Sequence, residues 1–150
     1  MEVLNLAKIK DGLFIGDKKA GLNLNLIIQF KISHMINTSG NQIPFNYEYA
    51  GIKYLTLNWP EYPSNNSDFI KDEIAKKIYV FIDNSLRNGT GMLIFSNKGQ
   101  NRACVAIIIY LMKKYSWSLQ KCRDFLSIKK QDVHISKNFI CQLMKFYLIN

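Results

Sequence analysis

Residues 92 to 115, MLIFSNKGQNRACVAIIIYLMKKY, constrain the fold more than any other stretch of the chain. The four residues MLIF show no polar alternation and read as a strand buried on both faces. A polar loop, SNKGQNR, interrupts them. The apolar pattern then resumes as a helix from about Arg102 to Tyr115. A strand buried on both faces needs helices on both sides of its sheet, which points to an α/β fold.

The rest of the chain agrees. GLFIG (12 to 16) reads as a short strand with Gly at both ends, and Lys18 to Phe30 carries a mostly helical apolar pattern. HMIN (34 to 37) reads as a buried strand followed by an SGN loop, and KYLTLN (53 to 58) as another strand before the Pro- and Asn-rich WPEYPSNN. Ser67 is expected to begin a helix whose Ile70, Ile74, Ile78, Phe81 and Ile82 share one face, with Asn88-Gly89 ending it. Two amphipathic helices follow, from SLQKCRDFLSI (118 to 128) and NFICQLMKFY (138 to 147). The expectation is a single domain over 1–150, core about 10–148, with a central, mostly parallel sheet flanked by helices. Its abrupt start just before the first strand is compatible with a domain excised from a longer chain. Ligands of such sheets sit at the carboxyl ends of the strands, where the loop after Phe95 emerges.

Charge narrows the partners. Twenty basic against 11 acidic residues leave a net charge of +9, which favours acidic or phosphorylated partners. The cations are scattered, which suits a solvated basic surface rather than a nucleic-acid footprint. Cys104, Cys122 and Cys141 form no CxxC pair and no metal spacing, so reduced thiols, an intracellular (cytoplasmic) setting and no metal are expected. No signal-peptide core and no apolar run of about 18 residues is present, so membrane insertion is not expected. No cofactor is implied.

The loop itself has the makings of an anion site, although a polar strand-to-helix turn with one Gly is common and G-x-x-R alone is a weak signal. Ser96, Asn97, Lys98, Gly99, Gln100, Asn101 and Arg102 present successive N–H groups before a helix N-terminus, whose dipole favours negative charge. Gly99 permits a positive φ, and Arg102 carries a planar fork suited to two phosphate oxygens. Lys98, Asn97 and Gln100 add donors at the rim.

At this point the chain resembles the dual-specificity phosphatases, a branch of the cysteine-based protein tyrosine phosphatases whose loop reads H-C-x-x-G-x-x-R-S. The aligned stretch here is F-S-N-K-G-Q-N-R-A. The likeness extends to DGLFIGDKKAGLNLNLI, HMINTSG, YEYAGIKYLTLNWPEYPSNNSDFI and SLQKCRDFLSIKKQDVHISKNFICQLMKFY, and so covers about Gly12 to Tyr147. It implies the dual-specificity phosphatase fold and a loop that holds phosphate.

The departures carry as much weight. Ser96 stands where the family has its thiolate nucleophile, whose pKa the loop lowers from about 8.5. A serine hydroxyl is not ionised by such a loop at neutral pH and needs an adjacent base. His34 and His134 lie far from it in sequence and are expected to be surface or structural. Phe95 replaces the family's loop-orienting histidine, and Ala103 the hydroxyl residue that assists breakdown of the intermediate. Glu61, seven residues after Tyr54, takes the place of the general acid Asp, in a loop of different shape. Three losses around the nucleophile suit natural drift better than one engineered substitution.

The resemblance therefore implies a pseudophosphatase domain that binds a phosphorylated protein segment (phospho-Tyr, phospho-Ser or phospho-Thr) or another anion. One alternative is an interaction module with a vestigial pocket, using Trp59, Tyr62 or Trp117 as anchors. A side chain plugging the pocket, Lys98 or Phe95, favours it. The other is a working phosphatase whose nucleophilic Cys is replaced here by Ser96.

Overall fold

The structure, a computed structural model, describes residues 5–44, 46–64 and 67–149. Asn65 and Asn66 of the loop after Trp59 lie outside the described residues. Five strands form one sheet: β1 (Leu6–Lys10), β2 (Leu13–Gly16), β3 (Ile32–Asn37), β4 (Lys53–Thr56) and β5 (Gly91–Phe95). Their order is β1-β2-β5-β3-β4, and only β1 runs antiparallel to its neighbour. The periodicity misses β1. Its sequence LAKIK buries Ile9 alone, as befits an edge strand blunted by lysines. Ile9 also extends the core slightly beyond its expected start.

Two helical layers cover the sheet. α1 (Lys18–Gly21) and α2 (Leu24–Gln29) lie on one face, while α3 (Asp72–Arg87), α4 (Arg102–Tyr115), α5 (Leu119–Lys129) and α6 (Lys137–Ile149) build the other. β5 shows why both are needed. Met92 and Ile94 enter the larger core, Leu93 and Phe95 the smaller one, and each is buried. α4 is buried from Arg102 to Met112 and packs against α3, α5 and α6.

Two helix boundaries differ from the periodic pattern, each for a local reason. The run from Lys18 to Phe30 splits because Asn23 accepts a hydrogen bond from the Leu26 N–H (3.1 Å), capping a second helix in mid-run. α3 starts at Asp72 rather than Ser67. Gln142 of α6 accepts from the N–H groups of both Phe69 (2.6 Å) and Ile70 (3.1 Å), holding that segment outside the helix. Asn88 and Gly89 end α3 as expected, with Gly89 at φ 69°.

Candidate functional site

The parallel strands end in one row. Gly16 and Asn37 both pair with Phe95, and Asn37 pairs with Thr56, so the loops after β2, β5, β3 and β4 leave the sheet side by side. The loop 96–102 lies between them and is tied on both sides of Asn97. The Lys18 N–H donates to the Asn97 carbonyl (3.2 Å), and the Asn97 N–H donates to Ser39 Oγ (2.9 Å). Gly99 has φ 71°, and a Cβ there would stand 2.7 Å from the Gly16 carbonyl oxygen, so only glycine closes this turn against β2.

Ser96 is buried, and its Oγ accepts the Gly99 N–H at 3.0 Å. Among the described residues no ionisable side chain hydrogen-bonds to that hydroxyl. Neither histidine hydrogen-bonds to that hydroxyl among the described residues. His34 lies near the start of β3, its Nδ1 2.7 Å from Ser33 Oγ and its ring edge-on to Phe81; burial, with Lys53, lowers its pKa. His134 is far in sequence but close in space, since its N–H donates to the Gln100 carbonyl (2.9 Å), while its residue surface is exposed. The flanking departures point inward. Phe95 packs on Gly21, where a Cβ would meet its ring at 2.6 Å, so it fills the smaller core and does not plug the loop. Ala103 is fully buried in the larger core.

Arg102 is 1% exposed, and its Nη1 donates to the Trp59 carbonyl (2.9 Å) and to Gln42 Oε1 (3.0 Å). Burial lowers its pKa, while the Glu61 and Tyr62 charges oppose that shift. Glu61 reaches the rim: its Oε1 lies 3.5 Å from Lys98 Nζ, and its carbonyl accepts from Asn101 Nδ2 (2.7 Å). The other end of the Asn101 amide accepts the Ser136 N–H (2.9 Å), so this one residue joins the loop after β4 to the segment before α6. Asn101 occupies the N-cap position of α4 without capping it. Among the described residues, the N–H groups of Lys98, Gln100 and Asn101 donate to no protein acceptor. These groups, with the first turn of α4, form the donor face of the loop.

Periodicity also misses the residues that brace the loop. Ser39 and Gln42 sit after β3, where a strand-end position in a parallel sheet is their sole sequence signal. Lys130 is buried and pairs with Asp132 (2.6 Å), and both bond to Asn5, which donates to the Lys98 carbonyl (3.3 Å). Burial pushes the Asp132 carboxyl up, but hydrogen bonds from Lys130 and Asn5 outweigh it and leave its pKa below the usual value. Of the aromatics read as anchors, Trp59 is buried against Phe139, Trp117 stacks on Tyr115, and Tyr62 alone is widely exposed (69%).

A loop with Ser96, Gly99 and Arg102 buried, set between the strand ends of a mostly parallel sheet, is a phosphatase-type architecture. The family model described as "Dual specificity phosphatase, catalytic domain" matches residues 13–148, and the chain belongs to that family. Human dual specificity protein phosphatase 6 is 29% identical over 136 residues, covering 89% of this chain and 34% of its own length. The chain thus spans about a third of that relative. The crystal structure of human DUSP28 superposes with a TM-score of 0.85 at 18% identity, covering 99% of this chain and 96% of that one. That of human tyrosine phosphatase-like serine/threonine/tyrosine-interacting protein does so at 0.85 and 22% identity, covering 98% of each.

Proposed function

We propose that this domain binds phosphate groups, on phosphorylated protein segments above all, and does not cleave them. The observation that carries the reading is the uncapped end of α4. Asn101 commits its side chain to Glu61 and Ser136, which leaves the loop and first-turn N–H groups for an anion. Gly99 holds the turn and Arg102 supplies the cation at its base. The absence of turnover follows from Ser96, whose hydroxyl has the Gly99 amide rather than a base beside it among the described residues. Calorimetry with a phosphopeptide is expected to give saturable binding that Arg102→Ala abolishes. No binding by the unaltered chain, or the same binding in the variant, rejects the proposal.

One observation favours a second reading, an interaction module whose loop is vestigial. Arg102 already has the Trp59 carbonyl and Gln42 as acceptors, and Lys98 faces Glu61. The name of one structural neighbour, an interacting protein that is phosphatase-like, is in keeping with such a role. On this reading a partner binds equally well in its phosphorylated and unphosphorylated forms.

A further inference from the structure

The far end of α4 offers a different surface. Met112 lies ten residues beyond Arg102, about 15 Å along the helix axis. There the last turn of α6 separates two hollows of about 770 and 390 Å³, which share Tyr147 and Leu148. Aromatic and aliphatic side chains line them together with Ser116, Ser118 and Gln120, and part of the apolar lining stands in solvent: Met144 is 51% exposed and Leu148 79%. Among the described residues, the charged ones lining them are Lys113 and Arg123. Lys113 Nζ lies over the Phe146 ring, and Lys121 Nζ stands 4.6 Å from the Trp117 ring centroid. None of these three cations has a carboxylate partner among the described residues. Asp124 at the rim is bonded to Gln120 (2.8 Å).

We infer that this groove docks an acidic amphipathic helix of a partner protein. Its apolar side chains enter the two hollows astride Leu148, and its carboxylates meet Lys113, Lys121 and Arg123. Charge complementarity selects that occupant. A second copy of this chain would bring another +9 against the same cations, and unpaired cations over aromatic faces attract anions without rearrangement. Two hollows on either side of an exposed apolar turn suit the i, i+3, i+4, i+7 anchors of a helix rather than a flat membrane surface.

The test is fluorescence anisotropy on the full chain. The probe is a labelled amphipathic peptide of about 18 residues, with Leu and Phe on one face and Glu on the other. A twin carrying Lys in place of Glu serves as the comparison. The Glu peptide is expected to bind, and to lose at least about tenfold in affinity with Leu148→Asp or with Lys113→Glu plus Arg123→Glu. Lys76→Glu on α3 leaves it unchanged. The charge-reversed variant gains binding of the Lys twin. Equal binding of both peptides, insensitivity to the groove variants, no binding, or a dimer in sedimentation that Leu148→Asp dissolves overturns the inference. So does preferential, Leu148-dependent binding to phosphatidylserine vesicles.

Discussion

Ser96 differs by one atom from the cysteine that the family has at its position. Its Oγ accepts the Gly99 N–H at 3.0 Å, and its neighbours Phe95 and Ala103 face two different cores. Ser96→Cys alone is therefore expected to give little or no hydrolysis of an aryl phosphate, followed as released phenolate. Adding Phe95→His and Ala103→Ser is expected to raise turnover above the single variant. The histidine also places a polar ring against Gly21, at a cost of about 1–3 kcal/mol in denaturant unfolding. Strong turnover from Ser96→Cys alone would show that Phe95 and Ala103 do not by themselves disable the loop. Gly99→Ala tests the loop's geometry. A Cβ 2.7 Å from the Gly16 carbonyl, at φ 71°, is expected to destabilise the fold by about 1–3 kcal/mol and to weaken phosphate binding at least about tenfold in calorimetry. Gly and Arg at that spacing are a weak signal alone; they were legible because the rest of the chain resembles the family that carries both. Ser39, Gln42 and Asn5 were not, because each is a common polar residue whose role exists only through a distant partner.

Among elements, the start of α3 shows how a neighbour overrides a helical pattern. The apolar spacing from Ile70 is helical, but Gln142 takes the N–H groups of Phe69 and Ile70 with one buried side-chain oxygen. Gln142→Leu leaves both amides without that acceptor. It is expected to cost about 1–3 kcal/mol in unfolding free energy and to speed hydrogen exchange at both amides. Unchanged exchange would show that Gln142 does not set this boundary. The split between α1 and α2 has the opposite character. Asn23 is a capping residue visible in the sequence, but the apolar pattern running past it obscures the cap.

At the scale of the molecule, burial in the larger core separates Cys104 and Cys122 from Cys141. Burial pushes Cys104 up to about 12 and Cys122 up to about 11, while Cys141 is exposed. Alkylation of the folded protein near pH 8 is expected to modify Cys141 alone, with all three reacting after unfolding; mass spectrometry counts the adducts. Asp132 links the chain's beginning to its last loop through Asn5 and Lys130. Its folded pKa lies below the unfolded value near 3.8, so its contribution to stability is present above that value and fades as pH falls through the folded one. Asp132→Asn is expected to lower the melting temperature at pH 7 and to narrow its difference from the unaltered chain near pH 3. The sequence by itself determined the α/β class, the place of the strand-to-helix loop 96–102 and the identity of its glycine and arginine, because burial periodicity and turn chemistry are local properties. Only the tertiary structure decided what braces that loop, where Trp59 lies and which surfaces stay open. Those depend on residues as far apart as Asn5 and Asp132, which no spacing along the chain brings together.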